Sequence, residues 1–485
     1  MIKNKHGFTL IELLAVIVIL GLLALIVTPG ISKVIRNSKI NTAKTSLEGY
    51  VREIENASAL YMTDTGKYPT SIDVLELDGK NISKIENPIV ELSNGGVVKV
   101  TAEIDGLYCV YKDGKGAECS EEPIIEYAGT LSKDFYEKSG RTDRSVISSL
   151  IFYSDARTLE GEVYDVSEAQ DGKILMYVNT NSEDTNLLDL TIVGDGIIYL
   201  PADSSRLFSF GTSFICSTPP YRGYTDYILF NDSIDTSRVT NMSGMFYATG
   251  SSSEEFTLDL GDKFDTSNVT DMSSMFEGTG YSNPNFTLDL GDKFDTSNVT
   301  NMSYMFNKTG YSSEVFTLDL GDKFDTSNVT DMSYMFSSTG YSNPNFTLDL
   351  GDKFDTSNVT NMSFMISSTG YCSKVFTLDL GDKFDTSNVT NMSRMFLNTG
   401  LSNPNFTLDL SGFNTSNVTN MLLMFGNLSN LKTIYVGEEW TTDAVTSSSS
   451  MFKNCTSLPN FNSSVVDKTN AHYGEGGYLT LKNNT

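Results

Sequence analysis

From residue 256 onward the chain repeats itself. FTLDLGDKFDTSNVT begins at Phe256 and returns at Phe286, Phe316, Phe346 and Phe376, and a shortened FTLDLSGFNTSNVT begins at Phe406, so the period is thirty residues. TSRVTNMSGMF (236–246) opens the array and VTSSSSMF (445–452) closes it as a degenerate copy. A unit this short cannot enclose a core alone. Its coils must bury their apolar faces against one another, which limits this part of the chain to a stacked array.

Within one unit, Phe256, Leu258 and Leu260 alternate with Thr257 and Asp259, the periodicity of a strand with one face inward. Val269, Met272, Met275 and Phe276 follow helical spacing, which predicts a short helix capped near Ser267 and ended by Gly280. Each coil is expected to be a strand, a turn and a short helix. At about 4.8 Å per coil, seven or eight coils give a parallel sheet roughly 35 Å long. The methionines read as packing residues that fill irregular gaps.

The units, as in LDLGDKFDTSNVTDMSSMF, resemble the BspA-like leucine-rich-repeat surface proteins of bacteria. The resemblance runs from EVYDVSEAQDGKILMYVNT to LKTIYVGEEWTTDAVTSSSSMFKNCTSL and a closing GGYLTL. It implies a leucine-rich-repeat solenoid at a cell surface. The unit exceeds that family's common length of about two dozen residues. Its extra residues form the turn TGYSNPN, which alternates with TGYSSEV and suggests duplication of a sixty-residue pair.

Each full unit carries Asp259, Asp262 and Asp265, or their equivalents, with Lys263 as the balancing charge. Stacking turns these into acidic ladders, read either as calcium held between coils or as a solvated face that keeps the array soluble. No other cofactor is expected. The net charge of −27 repels nucleic acid. His6 and His472 are the only histidines, so His-based triads and zinc sites cannot be assembled, and the chain is not expected to be an enzyme. Between 126 and 230 lies a mixed, strand-rich region with no catalytic constellation; Asp155, Asp165, Asp171 and Asp195 there lack the spacing of a calcium loop.

The chain opens with Lys3 and Lys5, then an apolar run from Phe8 to Thr28 interrupted by Thr9 and Glu12. Twenty-one residues at helical rise reach roughly 31 Å, enough to cross a bilayer. An acid inside such a run needs a partner or a task. The stretch GFTLIELLAVIVILGLLALIVTP resembles the prepilin N-terminus of type IV pilins and pseudopilins. That resemblance implies cleavage after Gly7 by a prepilin peptidase, methylation of Phe8, a helix kink at Pro29, and a Glu12 that offsets the terminal amine of a neighbouring subunit. Lys33, Arg36, Lys39 and Lys44 follow the run, where the positive-inside rule wants a cytoplasmic face. With a bacterial host so implied, the NVT and NMS triplets read as turn and cap chemistry rather than glycosylation acceptors.

Ile40, Ala43, Leu47, Tyr50, Val51, Ile54, Ala57 and Tyr61 continue the run as one amphipathic helix, stopped by Gly66 and Pro69. Residues 80–120 alternate as a small antiparallel sheet. Cys109 and Cys119 face each other if the loop between them is a hairpin centred on Gly114; a disulfide there suits an exported protein, and two unpaired thiols are the alternative.

The expected fold class is therefore α+β and multidomain. Its parts are a leader (1–7), a pilin helix (8–62), a pilin-like globular part (63–125), the mixed region (126–230), the repeats (231–426) and a closing cap (427–485). The resemblances imply a single-pass protein held in the inner or cytoplasmic membrane by residues 8–28. Its bulk would lie at the cell surface or on a pilus-like filament, for adhesion to a host or cell-surface ligand alongside other pilin subunits. The second reading is a minor pseudopilin of a type II secretion or DNA-uptake apparatus with a structural head.

Overall fold

The computed structural model describes residues 10–77, 84–121, 127–155, 157–213, 221–261, 263–321, 323–351 and 353–482, with side chains described from residue 35 onward. The chain divides into two compact units, Met1–Ile125 and Glu126–Thr485.

In the first unit, helix α1 (Leu10–Thr65) presents Ala43, Leu47, Tyr50, Val51 and Ile54 at three-and-four spacing. These residues are buried against a sheet of β1 (Ile85–Ser93), β2 (Gly96–Ile104), β3 (Leu107–Lys112) and β4 (Gly116–Ser120), antiparallel and in that order. Two dipeptides make the meander. Asn94–Gly95 and Asp105–Gly106 all hold positive φ, the two-residue turn whose twist matches the strands it joins. At the sheet edge, register shifts in β1 around Pro88 spoil the strand as a template for another chain.

Among the described residues no helix is long and apolar enough to cross a membrane. The described side chains of α1 belong to its amphipathic part, rich in Asn, Ser, Thr and Lys. The expected membrane-spanning segment at 8–28, the membrane as partner and the single-pass localisation are corrected on that finding.

In the second unit, β5 (Tyr127–Thr130), β6 (Ile147–Tyr153), β7 (Glu162–Asp165), β8 (Ile174–Thr180), β9 (Leu188–Gly194) and β10 (Ile197–Tyr199) precede the repeats. One seven-stranded sheet runs β7, β8, β9, β6 and continues through Tyr227–Leu229, Thr257–Asp259 and Thr287–Asp289. The mixed region and the first repeats thus share a sheet, and a single core extends from Ala128 to Leu479.

The expected helix in each coil is absent, and with it the strand-plus-helix leucine-rich-repeat solenoid; α1 is the one α-helix among the described residues. Residues 273–282 form consecutive turns. Met275, Glu277 and Thr279 donate their N–H groups three residues back, to Met272, Ser274 and Phe276. Between them, Met272, Ser274, Phe276 and Gly278 donate to Asn301, Ser303, Met305 and Asn307 of the next coil. Left-handed φ at Ser274 (56°), Gly278 (68°) and Gly280 (60°) turns alternate amides outward. An α-helix needs every N–H to reach four residues back within its own segment. Because a turn also closes over three residues, Met272 and Met275 face inward in either geometry.

Continuity comes instead from a parallel ladder of single bridges through Asn241, Asp271, Asn301, Asp331, Asn361, Asn391, Asn420 and Ser447. Ring spacings show that the coils fan. Tyr281, Tyr311, Tyr341 and Tyr371 stack 4.6, 4.4 and 4.5 Å apart. On another column Phe294, Phe324, Phe354 and Phe384 are 6.4 Å apart at each step. The TLD ladder closes between Thr257 and Thr287 and between Thr347 and Thr377 but not across Thr317. A cleft of about 870 Å³ opens there, lined by Leu318, Asp319, Asp349, Lys353 and Asp379 among others.

Candidate functional site: the helix–sheet module and the repeat motif

Gly7 and Phe8 lie outside the described residues, as do the side chains of Glu12 and Pro29; α1 is continuous past both of these positions. What is described is the module behind them. Where α1 ends, Gly66 (φ 72°) donates to the Met62 carbonyl, and Ser71 then caps a single turn at Ile72–Val74 by accepting from the Asp73 N–H. A Cβ on Gly95 would stand 2.6 Å from the Tyr68 ring, so the β1–β2 turn is closed against the segment that follows the helix.

Cys109 on β3 and Cys119 on β4 are direct cross-strand partners and form a disulfide, with Cα atoms 4.1 Å apart. Both belong to the core that receives α1. Arg36 and Glu121 pair at 3.2 Å, an exposed contact of small energetic weight. Burial, aided by Glu53, pushes the Tyr50 phenol up.

In the array, each residue of DTSNVT has a structural task. Asp265 Oδ1 accepts the Ser267 N–H, and Thr266 Oγ1 donates 2.7 Å to the Asp295 carbonyl one coil ahead. Asn268 Nδ2 donates 2.8 Å to the Ser237 carbonyl one coil behind, Val269 is buried, and Thr270 N–H donates to the Thr240 carbonyl. The same bonds recur from Thr296 to Asp325 and from Asn298 to Ser267. Burial pushes the Asp265 carboxyl up, but its bonds from Ser267 outweigh this and hold it below the usual range. Asp265 is therefore committed to the turn. Asp259 Oδ1 likewise accepts the Gly261 N–H, while Asp262 lies outside the described residues. No group of three or more metal-ligating side chains is assembled among the described residues.

These bonds give a direct test. Thr326 is fully buried and its hydroxyl donates 2.8 Å to the Asp355 carbonyl. Thr326→Val keeps the shape and removes the donor, and is expected to lower array stability by about 1–2 kcal/mol in urea denaturation. An unchanged midpoint would mean that the inter-coil hydroxyl bonds carry no weight.

Sequence reasoning missed the inter-coil roles of Thr266 and Asn268. Their strict thirty-residue recurrence beside an inward Val was the available signal. The start of the tyrosine column was not legible at all: thirty residues before Tyr281 stands Ser251, and Tyr221, from outside the repeats, places its tilted ring 5.2 Å from Tyr281.

The family described as Mycoplasma protein of unknown function, DUF285, matches residues 226–343, 281–400 and 370–474. The Prokaryotic N-terminal methylation motif matches residues 2–28. The ComG operon protein 3 homolog of Bacillus licheniformis is 33% identical over 96 residues, which is 19% of this chain and 94% of that protein. The Type II secretion system core protein G of Pseudomonas aeruginosa is 36% identical over 74 residues, 15% of this chain and 49% of that protein. Its counterpart in Aeromonas hydrophila is 35% identical over 69 residues, 14% and 46% respectively. The chain thus spans about half the length of both core proteins. No solved structure matches.

These findings correct the BspA-like recognition, since the repeats match a different family and no leucine-rich-repeat solenoid is present among the described residues. The adhesion reading and its host or cell-surface ligand rested on that recognition and are withdrawn with it. The chain belongs over 96 residues to the family of the ComG operon protein 3 homolog, and through residues 226–474 to that of the Mycoplasma protein of unknown function, DUF285.

Proposed function

We propose that the chain is a pseudopilin-type subunit of a secretion or DNA-uptake apparatus, with the repeat array as a structural head. The observation that carries this reading is the match over 94% of the ComG operon protein 3 homolog, and the two core proteins G agree with it. The long helix packed on a small antiparallel sheet supports it as well. A head running from Glu126 to Thr485 would crowd a tightly packed helical filament, which favours a minor subunit over a major one.

In this reading a prepilin peptidase cleaves after Gly7 and the new terminus at Phe8 is methylated, in line with the methylation motif at 2–28. Glu12 then offsets the terminal amine of an adjacent subunit, an attraction that grows where water is excluded. Pro29 lies inside α1, at a position where proline offers no N–H to the helix.

Glu12→Ala in the native cell is the test. The processed chain is expected at its normal level, with a fall of more than about tenfold in what cross-links to partner subunits. Protein secretion or DNA uptake should drop in parallel. Normal cross-linking together with normal secretion and uptake would overturn the reading.

A further inference from the structure

The stacked tyrosines have no part in the proposed assembly. Tyr281, Tyr311, Tyr341 and Tyr371 form one column with rings 4.4 to 4.6 Å apart and planes within 12°. Tyr304 and Tyr334 form a second, 4.4 Å apart at 8°. Unlike the phenylalanine columns of the core, these tyrosines are only partly buried. Each pair joins residues thirty positions apart in neighbouring coils.

We propose that these columns are sites of oxidative modification, in which neighbouring tyrosines are joined as dityrosine and the coils are covalently stapled. The co-reactant is a one-electron oxidant of the haem peroxidase class with hydrogen peroxide. Each phenol loses one electron and one proton, and the two radicals form a carbon–carbon bond between ring positions next to the hydroxyls. The protons on those carbons then move to the phenol oxygens, restoring both hydroxyls. Overall, two tyrosines and one hydrogen peroxide give one dityrosine and two waters.

Geometry decides which pairs react. Radicals on separated surface tyrosines must wait for a collision between molecules, whereas the stacked rings are already in van der Waals contact. Burial raises the Tyr304 and Tyr311 phenols to about 12, so at neutral pH both are protonated, and each oxidation must release a proton. The stack itself holds the rings in register, since Phe364 continues the second column 4.2 Å beyond Tyr334 without a hydroxyl.

The test treats the full-length chain, at high dilution, with horseradish peroxidase and hydrogen peroxide, and maps tryptic peptides by mass spectrometry. Lys293, Lys308, Lys323, Lys353 and Lys374 separate the partners into different peptides. The expected links join peptide 264–293 to 309–323, 309–323 to 324–353, 324–353 to 354–374, and 294–308 to 324–353. Tyr341→Phe keeps a stacked ring and is expected to abolish the second and third links while the first and fourth persist. Links confined to separate molecules, links between non-neighbouring tyrosines, or a pattern unmoved by Tyr341→Phe would overturn the proposal.

Discussion

Phe336→Ala is expected to lower the stability of the repeat array by about 3–5 kcal/mol. Phe336 is fully buried, stacks 5.7 Å from Phe306 and touches the next column at Phe354, 6.1 Å away. Removing the ring leaves a void that the flanking coils cannot close, because each is tied to its neighbours through the backbone: Phe336 N–H itself donates to the Met365 carbonyl. The chain supplies its own control. Ile366 occupies the equivalent place one coil on and is fully buried, so Phe336→Ile is expected to cost less than about 1.5 kcal/mol. Chemical denaturation followed by circular dichroism measures both variants. An alanine variant within about 1 kcal/mol of the parent would mean that the column is not a shared core.

The second large effect concerns the first unit. Replacing both Cys109 and Cys119 by Ala is expected to destabilise the helix–sheet module by about 2–3 kcal/mol, the entropy of a short closed loop. The bridge spans ten residues, joins β3 to β4 and lies in the core under α1. The array shares no core residue with it, so the array transition should stay where it is. Calorimetry separates the two. A shift in the array transition alone, or no shift in either, would contradict this partition.

How far the sequence could be read depends on the range of the interaction. The small antiparallel sheet was legible because the alternation over residues 80–120 is a local signal; its turns at Asn94–Gly95 and Asp105–Gly106 came from the structure. The helix stripe at Ala43, Leu47, Tyr50, Val51 and Ile54 was legible because its period survives over many turns. The inward residues of each coil, Val269, Met272, Met275 and Phe276, were assigned to the right side but the wrong backbone. Spacing by three suits a helix and a run of turns alike. Only the inter-coil bonds from Met272, Ser274 and Phe276 separate them, and those pair residues about thirty positions apart. Tyr227–Leu229 stands thirty residues before Thr257 and pairs in the same sheet, yet YIL does not look like TLD, so the sheet's start was hidden. For the module that carries the proposed function, Cys109 and Cys119 depended on a hairpin that the structure supplies. The roles of Gly7, Phe8 and Glu12 rest on pattern alone.

Mass spectrometry of the amino-terminal peptide from the native cell tests the central claim most directly. The expected chain begins at Phe8 with a methylated amine, having lost Met1–Gly7. A chain that retains Met1, or that begins at another residue, would contradict it.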